Sequence, residues 1–349
     1  MKLESTIKRS RAARWAYHNF AGLYPTGAWL YRRKVVDWMT HRWAQEQLPT
    51  SFRLFAHFCR SQSWFPGRVL AGATAFRLTS RLHQTFNSTP LSIKVDGHRI
   101  YLNPDDPRML QVPRELHQLV GANSVLARFL SPGDTFVDIG ANHGAFSVAA
   151  AHFLGPRGLV LAFEPQPDLH RLVARSLEAS EIREFRVFPD SCGERRGETE
   201  FFVPRKSSGR AGLFADFSAR SHHKKIQVRQ VRIDDIMQNL DLPGRVFIKL
   251  DVEGNELSAL RGATGFIRTY RPRMLMELNP IAMKAAGTDY REVVALLHEM
   301  GWRSFRRLDD LDRLHPLGSL SSGWLENLVF DFEQPVHPSV HDHGRNTRY

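Results

Sequence analysis

The strongest constraint on the fold of this chain is a regular alternation of apolar runs and helical patterns between residues 135 and 332. The apolar runs predict strands at Thr135–Ile139, Leu159–Phe163, 185–188, Val246–Leu250, 274–277, 302–305 and 328–332. Helical patterns lie between them at 146–153, 168–179, 256–263 and Tyr290–Met300. Strands that alternate with helices at this spacing predict an α/β fold, a mostly parallel sheet with helices on both faces.

Other patterns surround this alternation. Residues that alternate in polarity around Asp96 and Gly97 predict a β-hairpin with strands Leu91–Val95 and His98–Leu102. Further predicted elements are one helix at 114–130 and two strands at 199–204 and 226–233. These elements extend the α/β domain upstream to residue 91.

Positive charge is concentrated in the first quarter of the chain. Residues 1–90 hold 14 lysines and arginines against 3 acidic residues, and 15 of the 37 aromatic residues. The rest is nearly neutral, although the whole chain carries a formal net charge of +12. Apolar residues recur at helical spacing in this segment, so we expect a basic, aromatic-rich helical region. The expected organisation is this region at 1–90, a domain at 91–334 and a disordered polar tail at 335–349.

The composition excludes several classes of protein. With 42% hydrophobic residues, the chain can bury a core, so wholesale disorder is excluded. Two cysteines, Cys59 and Cys192, are too few for a disulfide scaffold or a cysteine-rich metal site. No secretory signal or transmembrane helix is predicted, and we expect a cytoplasmic protein with reduced thiols.

The segment 136–147 carries the clearest chemical signal. An apolar strand runs directly into a turn that contains Gly140 and Gly144, and a helix follows. Ligands of open α/β sheets bind at the carboxyl ends of the strands. Glycines at that edge allow the backbone to approach a ligand, and Asp138 and Asn142 offer polar contacts. The sequence therefore predicts a ligand site at this turn.

The charge of this turn distinguishes two nucleotide cofactors. A dinucleotide fingerprint requires Gly-x-Gly-x-x-Gly, with a pyrophosphate at the helix N-terminus. Here Ala141 follows Gly140, so the second glycine is missing, and the carboxylate of Asp138 would repel a pyrophosphate. The same carboxylate suits the sulfonium and ammonium groups of S-adenosylmethionine, which the turn therefore favours over NAD.

Acidic residues follow two further predicted strands. Glu164 ends the second strand, 26 positions after Asp138, where a carboxylate can accept hydrogen bonds from both hydroxyls of a ribose. Asp251 and Glu253 follow the fourth strand. Because parallel strands end at the same edge of a sheet, we expect Asp251 beside the glycine turn.

Together these motifs resemble the FkbM-type family of S-adenosylmethionine-dependent methyltransferases. The similarity spans about residues 134–332 and depends on the segments VDIGANHGAFS, AFEPQP and IKLDVEGNELSALRGA. The resemblance implies a class I methyltransferase fold, a Rossmann-like seven-stranded sheet whose last strand is antiparallel. It also implies methyl transfer, usually to a hydroxyl oxygen of a sugar, a lipid-linked glycan or a natural product.

The resemblance also implies roles for individual residues. Residues of this chain that match the family motifs are Asp138, Gly140 and Asn142 in the cofactor loop, Glu164 as the ribose-binding acid, and Asp251, Glu253 and Glu256 in the later acidic motif. Such folds contact adenine after the third strand, where Asp190 replaces the small apolar residue usual in the family. The full set expected to bind the cofactor is Asp138, Gly140, Ala141, Asn142, Gly144, Glu164, Pro165, Asp190 and Ser191.

The expected catalytic residues are Asp251, Glu253 and His143. An alcohol is a weak nucleophile, so a base such as Asp251 or His143 would take its proton as the new bond forms. Alternatively, Asp251 and Glu277 could hold a divalent metal that lowers the pKa of the hydroxyl. Because no other ligands have clear metal-binding spacing, the leading hypothesis contains no metal.

The basic region 1–90 leaves several interpretations open. Basic and aromatic residues together suit an anionic membrane surface, whereas nucleic acid is a less favoured partner. The same helices could instead cap the acceptor site. We expect a mixture of the two, with a hydroxyl-bearing small molecule or glycan as acceptor. The competing hypothesis is a peripheral membrane or polyanion-binding protein with little catalysis.

Overall fold

The computed structural model describes residues 91–204, 208, 211–214, 223–320 and 325–332. Its strands are β1 (Leu91–Val95), β2 (His98–Leu102), β3 (Thr135–Ile139), β4 (Leu159–Phe163), β5 (Glu184–Phe188), β6 (Asp190–Cys192), β7 (Gly197–Pro204), β8 (His223–Val231), β9 (Val246–Leu250), β10 (Arg273–Leu278), β11 (Trp302–Arg307), β12 (Asp310–Pro316) and β13 (Glu326–Phe332). Its α-helices are α1 (Val112–Val120), α2 (Val125–Phe129), α3 (Ala145–Leu154), α4 (Pro167–Glu178), α5 (Ile233–Met237), α6 (Glu256–Arg261), α7 (Thr264–Tyr270), α8 (Pro280–Ala285) and α9 (Tyr290–Met300). The predicted helical region 1–90 and the predicted tail lie outside the described residues.

The central sheet has eight strands in the order β12-β11-β13-β10-β9-β3-β4-β5. The five strands from β10 to β5 run parallel, and β13 is antiparallel to both of its neighbours. This arrangement confirms the class I methyltransferase fold and its antiparallel last strand. The expected count of seven omits β12, an edge strand that pairs with β11. Its side chains are mostly exposed, so β12 lacks the apolar pattern on which strand prediction depends.

Two hydrophobic cores cover the two faces of the sheet. The strands β3, β4 and β9 are buried along their whole length, and successive side chains alternate between the cores. Phe136 and Phe247 face the core formed with the β1–β2 hairpin, α1 and α3. Val137 and Ile248 face the opposite core, which α5, α6, α7 and α9 cover. The apolar runs in the sequence therefore reflect strands that are buried on both sides.

The single helix predicted at 114–130 is wrong, because two helices occupy this region. The first, α1, ends at Val120, and Gly121 is extended with φ −66° and ψ 147°. Ser124 then caps α2, and its hydroxyl accepts a hydrogen bond from the backbone N–H of Ala127 at 3.0 Å. Glycine favours a helix end and serine favours a helix start, which accounts for the break.

A small three-stranded sheet, in the order β6-β8-β7, stands beside the central one. The strands predicted at 199–204 and 226–233 correspond to β7 and β8, while the short β6 was not predicted. Phe202 and Gly212 form an isolated antiparallel bridge, which ties residues 211–214 to β7. Within the described residues, no helix has both the length and the apolar character needed to cross a membrane.

Candidate active site

A cleft opens at the carboxyl ends of β9, β3 and β4 and encloses about 650 Å³ of space, including open solvent at its mouth. Its lining comprises Arg108, Ile139, Gly140, Asn142, Phe163, Glu164, Pro165, Gln166, Asp190, Ser191, Cys192, Phe201, Ser208, Ala211, Leu213, Asp251, Val252, Glu253 and Asn255. The cleft lies at the sheet edge where the sequence predicts a ligand site.

Gly140 joins the ends of β3 and β9 at the base of the cleft. Its φ is +84°, and a Cβ atom at this position would lie 2.0 Å from the backbone oxygen of Asp251. The backbone N–H of Asp251 donates a hydrogen bond to the carbonyl of Ile139 at 3.1 Å. Glycine is therefore required so that the two strand ends can approach each other, and the ligand-approach role expected from the sequence stays a prediction.

Asp138 lies beneath the glycine turn, outside the cleft lining. Its side chain is fully buried, and its Oδ2 accepts a hydrogen bond from the hydroxyl of Ser147 at 2.6 Å. Burial raises the pKa of Asp138, against the opposing effects of Lys249 and Ser147. Direct contact between Asp138 and the cofactor stays a prediction. The observed contacts fix the turn to the first helical turn of α3.

Lys249 is a buried cation that connects the two strand ends. Its Nζ donates a hydrogen bond to the carbonyl of Gly140 at 2.7 Å and lies 3.4 Å from Oδ2 of Asp251. Burial disfavours the ammonium, but the carboxylates of Asp251 and Asp138 outweigh it and raise the pKa of Lys249. Lys249 therefore stays charged and orients Asp251 at the edge of the cleft.

Glu164 lines the cleft at the end of β4, as the sequence predicts. Its side chain is 3% exposed, and its two oxygens accept hydrogen bonds from the backbone N–H groups of Asn142 at 2.7 Å and Gln166 at 2.9 Å. Burial raises the pKa of Glu164 to about 7, although these hydrogen bonds oppose the shift. A carboxylate has about four acceptor positions, so Glu164 can still accept hydrogen bonds from a ligand.

Asn142 closes the turn above Glu164. It adopts a left-handed φ of +53°, which asparagine tolerates better than most residues. Its side-chain Nδ2 donates a hydrogen bond to the hydroxyl of Ser208 at 3.1 Å. Asn142 thus connects the glycine turn to the insertion between β7 and β8.

His143 is buried and lies outside the cleft lining. Its ring is 1% exposed, and Nδ1 donates to Oδ1 of Asn142 at 2.8 Å, while Nε2 lies 3.7 Å from Oδ2 of Asp106. Burial lowers the pKa of His143 to about 4, with Asp106 opposing this shift. The ring is outside the cleft lining, so the predicted role of His143 as the base for a bound acceptor has no support in this position.

Asp190 and Ser191 line the far end of the cleft. Both carboxylate oxygens of Asp190 bind the guanidinium of Arg229, at 2.6 and 3.0 Å. The carbonyl of Cys192 accepts a hydrogen bond from the side chain of Asn255 at 2.8 Å. The adenine contact expected here stays a prediction, and the carboxylate of Asp190 already has a strong partner.

An acidic cluster lies at the end of β9. One oxygen from each of Asp251, Glu253 and Glu277 lies within 4.8 Å of the others. Asp251 and Glu253 line the cleft, and Asp251 is 34% exposed. Burial, with repulsion from Asp251 and Glu256, raises the pKa of Glu277 to about 8. The two cleft-lining carboxylates are the residues of this cluster that an acceptor in the cleft can reach.

Glu256 supports the backbone of this cluster from below. Its Oε1 accepts hydrogen bonds from the backbone N–H groups of Gly254 at 3.1 Å and Val252 at 3.3 Å. Burial raises its pKa to about 7. Glu253 itself has a left-handed φ of +51°, so the turn that carries it is tightly specified. Glu256 therefore acts on the shape of the turn and lies outside the cleft lining.

The sequence predicted some residues of the cleft lining but not others. Of the remaining predicted cofactor residues, Pro165 lines the cleft, whereas Ala141 and Gly144 lie outside the lining. Cleft residues that were not predicted include Arg108, Gln166, Ser208 and Asn255. Gln166 and Asn255 lie inside the quoted motifs, which could have indicated them. Arg108 and Ser208 come from other segments and have no motif.

Comparisons with known proteins give one family match and several similar solved structures. Residues 138–304 match the family model of the methyltransferase FkbM domain. No curated protein sequence matches this chain significantly. The solved structure of methyltransferase FkbM from Methylobacillus flagellatus is similar, with 17% sequence identity and a TM-score of 0.38, over 79% of this chain and 57% of that one.

Two further solved structures are similar at lower identity. Fibrillarin from Aeropyrum pernix, in complex with natively bound S-adenosyl-L-methionine, has 11% identity and a TM-score of 0.33, over 70% of this chain and 82% of that one. Precorrin-6y C5,15-methyltransferase from Geobacter metallireducens has 11% identity and a TM-score of 0.33, over 65% of this chain and 89% of that one. Because the TM-scores are below 0.5, these structures carry no argument. The fold is assigned from the strand order, and the family resemblance depends on the match over residues 138–304.

The strand order defines a class I methyltransferase fold, and the cleft lies at the edge of the sheet where such folds bind ligands. Residues 138–304 match the model of the FkbM methyltransferase family, which is the family that the sequence motifs resemble. The chain spans 57% of the length of the Methylobacillus flagellatus protein. The family match supports S-adenosylmethionine, the cofactor that the sequence predicts.

Proposed function

We propose that this chain transfers the methyl group of S-adenosylmethionine to a hydroxyl oxygen of a sugar, a glycolipid or a natural product. The observation that carries the proposal is the cleft itself, in which Glu164 and the acidic residues Asp251 and Glu253 line one continuous space. Glu164 is suited to a ribose, and the acidic end is suited to cationic groups and to a hydroxyl donor.

The residues of the cleft fit the cofactor. Glu164 is buried and held by backbone N–H groups, so its carboxylate is fixed in place for the ribose hydroxyls. The cofactor supplies an activated methyl group when it is bound. Its sulfonium and ammonium groups carry positive charge, and Asp251 and Glu253 supply negative charge at the neighbouring strand end.

Asp251 is the best candidate for the base. It is partly exposed in the cleft, and Lys249 holds its carboxylate from the protein side. A general base must reach the proton that it removes, and Asp251 meets this requirement whereas the buried ring of His143 does not. In the proposed reaction, Asp251 would take the proton of the acceptor hydroxyl as the oxygen–carbon bond forms and the sulfur–methyl bond breaks, with S-adenosylhomocysteine as the leaving group. Glu253, which belongs to the same acidic cluster and lines the cleft, would orient the hydroxyl.

The test is methyl transfer from tritium-labelled cofactor into cell extract, followed by fractionation of the labelled product. We expect label in a hydroxyl-bearing small molecule or glycan. Asp251→Asn should lower the rate by 10²–10⁴-fold even when the cofactor is saturating. Arg128→Ala, at an exposed ion pair remote from the cleft lining, is the matched control. Label recovered only in protein or nucleic acid would contradict the proposed acceptor class.

A second proposal concerns residues 1–90, where charge and aromatic residues are concentrated. We infer that this region binds the anionic inner face of a membrane and brings the cleft to a lipid-linked acceptor. Lysine and arginine near an anionic surface each contribute about 1 kcal/mol. Tryptophan suits the interface, because it combines an apolar ring with one N–H donor. Nucleic acid is a less favoured partner.

A further inference from the structure

Arg108 is a cationic side chain that lines the cleft and has no role in the proposed methyl transfer. It lies in the 3-10 helix Pro107–Leu110, whose first turn is capped by Asp106. The Oδ1 of Asp106 accepts hydrogen bonds from the backbone N–H of Arg108 at 3.0 Å and from that of Ser208 at 3.1 Å. Arg108 is therefore held at the cleft wall by backbone contacts that do not occupy its guanidinium.

The guanidinium of Arg108 retains most of its hydrogen-bonding capacity. It has five N–H donors, and within the described part of the chain one of them is used, by Nη2 toward Oε2 of Glu115 at 2.7 Å. The side chain is 20% exposed. Burial opposes its charge, but the carboxylates of Glu115, Asp251 and Asp106 outweigh burial and raise its pKa. Arg108 thus presents a permanent cation with spare donors to the cleft.

The strand order gives the position of Arg108 along the cleft. The strand ends follow one another as β9, β3, β4 and β5, so Asp251, Gly140 and Glu164 come in that order, with Asp190 beyond β5. Arg108 lies beside the glycine turn, because its cap residue Asp106 is hydrogen-bonded to Ser208, which in turn binds Asn142. A nucleoside held at Glu164 and Asp190 therefore directs the rest of the ligand toward Arg108.

We propose that Arg108 binds the carboxylate of the amino-acid end of the cofactor. The planar fork of a guanidinium matches a carboxylate, and such charged pairs are stronger than neutral hydrogen bonds. The neighbouring carboxylate of Asp251 then faces the ammonium and sulfonium groups. This inference rests on the proposed function, because it assigns one end of the same ligand.

The test compares two ligands that differ only in this carboxylate. Calorimetry on the full chain measures the binding of S-adenosylmethionine and of its decarboxylated analogue to the wild type and to Arg108→Ala, Arg108→Lys and Arg128→Ala. We expect Arg108→Ala to weaken S-adenosylmethionine binding by about 10- to 100-fold, with the decarboxylated analogue changed less than twofold. Arg108→Lys, which keeps the charge without the fork, should lose part of this affinity. The control Arg128→Ala should bind both ligands like the wild type.

The outcomes separate this inference from the proposed function. Equal weakening of both ligands by Arg108→Ala would indicate a structural role and overturn the inference. If Arg108→Ala does not fold, the wild type and Arg108→Lys still decide the question. In that case a wild type that binds both ligands equally would overturn the inference. A wild type that binds neither ligand would overturn the proposed function together with the inference.

Discussion

Lys249 and Asp138 occupy paired positions on the neighbouring strands β9 and β3, and Nζ of Lys249 lies 3.5 Å from Oδ1 of Asp138. Both side chains are buried at the base of the cleft. Removal of one partner leaves the other charge buried and unpaired, at a typical cost of about 3–5 kcal/mol. We therefore expect Lys249→Met to lower the free energy of unfolding by about this amount, as measured by urea denaturation.

Two further variants complete this test. The double variant Lys249→Met with Asp138→Asn should recover part of the lost stability, because the fully buried side chain is then neutral and Asp251, the other partner of Lys249, is partly exposed to solvent. Arg128→Ala breaks an exposed pair with Asp312 and should cost less than about 1 kcal/mol. A loss below about 1 kcal/mol for Lys249→Met alone would contradict the importance of the pair.

Glu277 should make the stability of the ligand-free protein depend on pH. Its pKa is about 8 in the folded state, whereas an unfolded glutamate titrates near 4.5. Between pH 4.5 and pH 8 the unfolded state has released a proton that the folded state retains, so the free energy of unfolding falls as pH rises. We expect Glu277→Gln to gain stability relative to the wild type from pH 5 to pH 8, as measured by urea denaturation at each pH. Glu178→Gln, at an exposed position on α4, is the control, and an equal profile for both variants would contradict the prediction.

Glu164 should control cofactor affinity and its pH dependence. Glu164→Ala should weaken binding by roughly 2–4 kcal/mol, because two hydrogen bonds to a charged group are lost. The pKa of Glu164 is about 7, and the ionised form is the better acceptor for ribose hydroxyls. Affinity measured by calorimetry should therefore rise from pH 6 to pH 8 in the wild type and stay flat in Glu164→Gln. An unchanged dissociation constant in Glu164→Ala would indicate that Glu164 only ends the strand.

The sequence was most informative where burial is complete. Strand β9 has the predicted bounds, because a strand that is buried on both faces must be a continuous apolar run. The position of Glu164 followed for the same reason, since a polar residue that ends such a run lies at the sheet edge. Strand β12 is exposed and contains no apolar run, so the sequence did not predict it.

Contacts between distant segments could not be predicted from the sequence. The partners of Asp138 depend on the register between β3 and β9, which brings Lys249 opposite it. The requirement for Gly140 depends on how closely the end of β9 approaches, since the obstacle to a side chain is the carbonyl of Asp251. Arg108 reaches the cleft from a turn that precedes the methyltransferase motifs. Each of these facts is a property of the packed fold.

The basic region 1–90 should bind anionic vesicles. It carries 14 lysines and arginines, and salt screens the attraction between such charges and an anionic surface. We expect flotation with anionic but not with neutral liposomes, and weaker binding as salt rises. Exchange of Arg32, Arg33 and Lys34 for glutamate should reduce flotation and leave cofactor binding unchanged. Equal binding to both kinds of liposome, or none at low salt, would favour the alternative in which residues 1–90 form helices that cover the acceptor site.

The most direct test of the cofactor site is calorimetry of the intact chain with S-adenosylhomocysteine, S-adenosylmethionine and NAD. The carboxylate of Glu164 suits the ribose of a nucleoside. The carboxylates of Asp251 and Glu253 in the cleft, and the missing second glycine of the dinucleotide fingerprint, disfavour a pyrophosphate. We predict saturable binding of both sulfur-containing ligands and no saturable binding of NAD. Saturable binding of NAD, with no response to either of the other two ligands, would contradict the assignment of the cleft to S-adenosylmethionine.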